Sequence, residues 1–310
     1  MGVFLYTGTD IEVFLCTGTG GAISQFLHVA PGPLFRTEGS SIFLWCNASG
    51  LSVGAFEWSV FREHSPRRKL QIVSSVDPDF SYAIFQERMG GKREIYLEKV
   101  GEDIARLHIT HLRAQDAGEY ECYTPNPTHR YQGAYSASVT LKVIPDLLRV
   151  SVLSPQELTL HEDDPLSMVC EVSSSRAQHT HFSITWYRED SDSTQPLISL
   201  SKLSIVSTGP SFQDRHLTGQ LRLEKVSPIW YQLTMSGLQP TDQAKYYCQA
   251  TEWIQDPDRT WYPLTTMRSQ VIRVFVQSSG TLLMDRAPGN EISPEEEVRD
   301  TAVYGGQGES

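Results

Sequence analysis

The sequence predicts an all-β chain: two tandem two-sheet sandwiches between disordered N- and C-terminal tails. Three observations carry that expectation. The stretch Asp116-Ala117-Gly118-Glu119-Tyr120-Glu121-Cys122 reads as a tight turn running into a short strand. Tyr120 and Cys122 share one face of that strand, because they are two residues apart. The stretch recurs as Asp242-Gln243-Ala244-Lys245-Tyr246-Tyr247-Cys248, with Asp, Tyr and Cys at the same offsets. Upstream, Phe85-Gln86-Glu87-Arg88 and Leu97-Glu98-Lys99-Val100 are echoed in the same order by Phe212-Gln213-Asp214-Arg215 and Leu223-Glu224-Lys225-Val226. Ordered repetition of this kind marks a duplicated structural unit.

A tyrosine two residues before a cysteine resembles the tyrosine corner of an immunoglobulin sandwich, where the phenol bonds back to the backbone at a strand-to-strand corner. That pattern demands an earlier cysteine, with a tryptophan shortly after it, on the facing sheet. Cys46 and Trp58 meet the demand in the first copy, Cys170 and Trp186 in the second. The cysteine spacings of 76 and 78 residues leave room for the extra middle strands of a variable-type domain. The resemblance implies bridges Cys46–Cys122 and Cys170–Cys248. Each would close a loop worth about 4 kcal/mol in the chain-entropy model. It also implies structural roles for Trp58, Trp186, Tyr120 and Tyr246, and corner ion pairs Arg88–Asp116 and Arg215–Asp242.

Residues 1–31 form an irregular N-terminal segment, in which Val3-Phe4-Leu5-Tyr6-Thr7-Gly8-Thr9 is nearly repeated by Val13-Phe14-Leu15-Cys16-Thr17-Gly18-Thr19. Short repeats behave as biased sequence that packs nowhere, and this reading is preferred to a pair of augmenting strands. The first variable-type domain spans 32–145. Its strands are expected at 41–46, 55–61, 70–74, 95–100, 106–112 and 139–143, the last rich in β-branched residues. A short link through Pro145 lacks a Gly/Ser spacer and predicts a semi-rigid elbow. The second variable-type domain spans 146–277, with strands at 167–172, 182–187, 220–226, 231–238, 245–251 and 268–276. Residues 278–310 turn to Gly, Pro and acids, cannot bury enough apolar surface to fold, and are expected to be disordered.

The net charge of −11 and pI near 5.3 argue against nucleic acid and anionic membrane surfaces as partners. Paired cysteines imply an oxidising, extracellular setting. Cys16 is left over. No run of about 20 apolar residues suits a transmembrane helix. Met1 to Cys16 lacks a basic n-region and is interrupted by Asp10 and Glu12, unlike a signal peptide. An exported fold without an export signal suggests an incomplete chain: a fragment, an isoform or a faulty gene model.

Few residues suggest chemistry. Asn47-Ala48-Ser49 is a glycosylation sequon with Asn47 pointing outward, whereas the proline in Asn126-Pro127-Thr128 disqualifies that triplet. His179 and His181 share a strand face, but no further ligand stands at a metal-binding spacing, so no metal is expected. No nucleophile–base order, paired carboxylates or phosphate loop is present, so an enzyme, a cofactor and a small-molecule substrate are not expected. The informative stretch follows Cys248. Asp256-Pro257-Asp258-Arg259 is strong turn chemistry and predicts a hairpin with Gln255 opposite Thr260, Ile254 opposite Trp261 and Trp253 opposite Tyr262. Glu252 shares the inward parity of Cys248, and an inward charge is costly. The hairpin is therefore expected to project beyond the packed sheets. Glu252, Trp253, Ile254 and Trp261 are its candidate partner-binding residues, since tryptophan is enriched in interface hot spots.

Glu252-Trp253-Ile254 beside the second-domain cysteine resembles the hallmark of the EWI-motif subfamily of the immunoglobulin superfamily. Further similar blocks are Gly32-Pro33-Leu34-Phe35-Arg36, Phe80-Ser81-Tyr82-Ala83 and Gln178-His179-Thr180-His181. The resemblance covers roughly 32–277. It implies a single-pass cell-surface protein with several variable-type domains that associates laterally with tetraspanins; this chain carries two such domains. The expectation is a non-enzymatic recognition and adhesion module on the extracellular side of the plasma membrane, contacting protein partners. The alternatives are a secreted decoy form and, further off, an enzyme or metal-binding sandwich.

Overall fold

Alternating burial generates the strands. In Ile42–Ser49 the side chains of Ile42, Leu44, Cys46 and Ala48 are buried, while Phe43, Trp45, Asn47 and Ser49 face outward. A computed structural model describes residues 26–49, 55–65, 68–77, 83–125, 135–191 and 193–278. Cys16, both N-terminal repeat blocks, Asn126-Pro127-Thr128 and the acidic tail lie outside the described residues.

In the first domain one sheet runs, in spatial order, Phe26–Val29, Ile42–Ser49, Ile104–Ile109 and Ile95–Lys99. The facing sheet runs Leu34–Thr37, Ser136–Ile144, Gly118–Tyr123, Glu57–Arg62 and Lys69–Ser74. Leu34–Thr37 pairs parallel to Ser136–Ile144; the other pairings are antiparallel.

The second domain repeats the plan. One sheet is Leu148–Val152, Leu166–Ser174, Trp230–Met235 and Leu221–Lys225. The other runs Glu157–His161, Ile272–Gln277, Ala244–Gln255, His181–Glu189, Thr194–Leu200 and Val206–Thr208, with Trp261–Arg268 also on Ala244–Gln255. Thr194–Leu200 and Val206–Thr208 are the extra strands of a variable-type sandwich.

Each core is built on its bridge. Cys46–Cys122 and Cys170–Cys248 are disulfide-bonded, and Trp58 and Trp186 beside them are fully buried. Tyr120 donates its phenol hydrogen to the Asp116 carbonyl at 2.8 Å, and Tyr246 donates to the Asp242 carbonyl at 2.6 Å. Burial, reinforced by the neighbouring aspartates, pushes both phenols above their ordinary pKa.

Beside each corner lies an ion pair. Arg88, on a helical turn Glu87–Gly91, reaches Asp116 at 2.7 Å and also Glu94 at 2.9 Å, with 3% of its side chain exposed. Arg215 reaches Asp242 at 2.7 Å but stays 21% exposed. Glu94 was not anticipated. Burial pushes its carboxyl up, but the Arg88 hydrogen bond and charge outweigh this and hold it below the ordinary range.

Two expectations need correction. The irregular segment 1–31 contributes a strand: Phe26–Val29 pairs with Ile42–Ser49, and Leu27 enters the core at 7% exposure. The closing strand expected at 268–276 is two strands. Trp261–Arg268 pairs with the far half of Ala244–Gln255, and Ile272–Gln277 with its start. The break falls at Ser269, whose backbone N–H donates to the Cys248 carbonyl at 2.8 Å while its hydroxyl accepts from the Cys248 N–H at 3.0 Å.

Candidate functional site

The hairpin after Cys248 turns on three residues. Asp256 N–H donates to the Thr260 carbonyl and Arg259 N–H to the Asp256 carbonyl, both at 2.9 Å, and Arg259 has φ of +69°. A type I turn followed by a left-handed residue is a favoured three-residue hairpin loop. Asp258 holds it by accepting from the Thr260 hydroxyl at 2.7 Å and its N–H at 2.9 Å; these bonds lower the Asp258 pKa. The expected pairing is therefore wrong by one residue: Gln255 faces Trp261, Ile254 faces Tyr262 and Trp253 faces Pro263.

Glu252 corrects a second expectation. The hairpin does not leave it in water or offer it to a partner: its side chain is 0% exposed. It accepts from Arg176 Nε and from the Thr180 hydroxyl, each at 2.8 Å. Parity still means burial here, because Arg176 supplies the counter-charge. Arg176 in turn donates from Nη1 to the Pro145 carbonyl at 3.2 Å, tying the carboxylate to the interdomain link. Ile254 is likewise buried, 5% exposed, and unavailable to a partner.

Trp253 and Trp261 are half-buried on the outer face. Lys202 Nζ lies 4.1 Å from the Trp253 ring centroid and 5.8 Å from that of Trp261. Trp253 Nε1 donates to Ser183 Oγ at 2.8 Å, and the His181 ring meets Trp261 edge-on at 4.8 Å. His181 Nδ1 faces the Lys202 carbonyl at 2.9 Å, so that nitrogen is the donor. Among the described residues no three His, Cys, Asp or Glu side chains gather as a metal site.

The other arm of the hairpin folds onto the first domain. Arg36 donates from Nη1 and Nη2 to both Asp256 oxygens at 2.9 and 2.7 Å. Its guanidinium lies 3.7 Å from the Tyr262 ring centroid. Thr37 donates to the Leu264 carbonyl at 2.7 Å, and Tyr262 to the Ser41 carbonyl at 3.2 Å. The roles of Arg36, Asp256, Arg176 and Lys202 escaped sequence reasoning; Arg36 carried a signal only as part of the block Gly32-Pro33-Leu34-Phe35-Arg36, and Asp256 only as a turn residue. Asn47 is half-buried, between His28 and Ile104 in the sheet.

The paired bridges, corners and parallel edge strands define a tandem immunoglobulin-domain chain. Residues 146–283 match the family model for an IgSF3-like, immunoglobulin-like domain. The chain is 44% identical over 275 residues to immunoglobulin superfamily member 3 of Xenopus tropicalis, covering 87% of this chain and 23% of that protein. It is 41% identical to immunoglobulin superfamily member 2 of Homo sapiens, covering 80% and 25%, and 35% identical to member 8 of Homo sapiens, covering 87% and 47%. The chain thus spans a quarter or less of the first two relatives and about half of the third.

Proposed function

We propose that this chain is a non-enzymatic recognition and adhesion unit of an EWI-type cell-surface protein, displayed on the extracellular side of the plasma membrane and contacting protein partners. The observation that carries this reading is the outer face of the hairpin. There Trp253 and Trp261 flank Lys202 on a strand pair held at both ends, by Glu252–Arg176 on one side and Asp256–Arg36 on the other. Rigid aromatic side chains placed on a preorganised surface are what interface hot spots are made of. Two disulfides and the Asn47 sequon support an exported setting. Among the described residues no helix is long and apolar enough to cross a membrane. Tetraspanin association enters through family resemblance alone.

The test is proximity labelling on cells with the full extracellular region of the protein, followed by direct binding of each captured protein to this chain. A captured partner that binds the parent chain and loses affinity on Trp253→Ala supports the reading. Partners that bind the parent and the variant equally would move the interface elsewhere.

A further inference from the structure

A pocket of about 500 Å3 opens in the second domain where the turn at 201–205 approaches the loop at 226–230. Lys202, Lys225, Tyr231, Ser204 and Phe182 line it, and no carboxylate does. In a chain of net charge −11, such a patch is a local reversal of sign. Neither lysine forms a salt bridge among the described residues. Each ammonium instead lies over an aromatic ring, Lys202 at 4.1 Å from the Trp253 centroid and Lys225 at 5.5 Å from that of Tyr231. Cation–π contact holds an ammonium in place without neutralising it.

Tyr231 adds a second observation. Its residue is 2% exposed, it lines the pocket, and its hydroxyl has no hydrogen-bond partner among the described residues. Burial pushes its pKa up to about 12, so the phenol is a hydrogen-bond donor at neutral pH. The hydroxyl keeps access to solvent, so it is free to donate to a ligand in the pocket. Leu203, 59% exposed, adds apolar surface to the wall. The volume falls within the range of small-ligand sites, roughly 300–1,000 Å3. The adjoining sheet edge, Val206–Thr208, is three residues long and offers little backbone for adding a peptide strand.

Two lysines without carboxylate partners, a phenol donor and an apolar wall match a compact ligand with one carboxylate, several hydroxyls and an apolar ring face. We infer that this pocket binds a terminal acidic sugar, with its carboxylate between Lys202 and Lys225 and its ring against the apolar wall. This goes beyond the protein-recognition reading: it shares Lys202 with the outer face of the hairpin, whereas Lys225 and Tyr231 lie outside it.

The experiment is titration calorimetry and saturation-transfer NMR on the full chain, with sialyllactose and lactose as probes. Sialyllactose is expected to bind and lactose not. Lys225→Gln is expected to weaken binding about tenfold, and Tyr231→Phe about fivefold, with melting temperatures showing that both variants stay folded. Equal binding of both sugars, binding of neither at millimolar concentration, or folded variants with parental affinity would each overturn the proposal. An acidic peptide that binds where sialyllactose does not would also overturn it and hand the pocket to a protein partner.

Discussion

Arg36 and Asp256, 220 residues apart in the chain, form a two-pronged ion pair with side chains only 6% and 9% exposed. The planar guanidinium matches the carboxylate fork, and Tyr262 closes over it. This pair joins the first domain to the hairpin of the second.

Asp256→Ala leaves Arg36 buried without a counter-charge. Breaking a buried pair from one side costs about 3–5 kcal/mol, and the domains can avoid that cost by separating. The variant is expected to show a larger maximum dimension and broader distance distribution in small-angle scattering. A profile identical to the parent would show that the remaining contacts suffice.

The two corner pairs differ in burial and should differ in worth. Asp116→Ala strands Arg88, 3% exposed, and is expected to cost about 3–5 kcal/mol in denaturant unfolding. Asp242→Ala leaves Arg215, which is 21% exposed and reachable by water, so its cost is expected to fall nearer the roughly 1 kcal/mol of exposed pairs. Equal losses would contradict this use of burial.

The tripeptide Glu252-Trp253-Ile254 should divide by role. Glu252→Ala leaves Arg176 buried and unpaired and is expected to lower the melting temperature and secretion. Trp253→Ala removes an outer-face ring and is expected to weaken partner binding by about 2 kcal/mol while stability changes less. A folded, fully secreted Glu252→Ala protein would remove the structural role.

Glu94 supplies a pH signature. Its carboxyl is depressed in the folded protein, so its stabilising effect is complete above the ordinary carboxylate range. That effect is lost as pH falls through the depressed folded value. The melting temperature of the parent should exceed that of Glu94→Gln at neutral pH, and the gap should close in acid. A gap independent of pH would remove the carboxylate from the account.

The sequence by itself determined the duplication, because the same offsets recur in the same order and strand parity reads which residues share a face. Both disulfides, the tyrosine corners and the corner arginine pairs followed from the resemblance of those repeated blocks to an immunoglobulin sandwich. Parity also placed Glu252 inward, but it could not say what stands opposite. Arg176 is 76 residues away, and without that cation an inward carboxylate looks forbidden. The hairpin register was missed because Arg259 takes a left-handed conformation without being glycine, which shortens the loop by one residue. Phe26–Val29 was missed because four residues of weak alternation become a strand only once Ile42–Ser49 offers an edge. Tertiary structure alone decided that the hairpin bends onto Arg36, burying Ile254 and leaving Trp253 and Trp261 on the outer face. Ion pairs and pockets depend on which distant groups share a low-dielectric space, and that is fixed only when the two sheets and the two domains close.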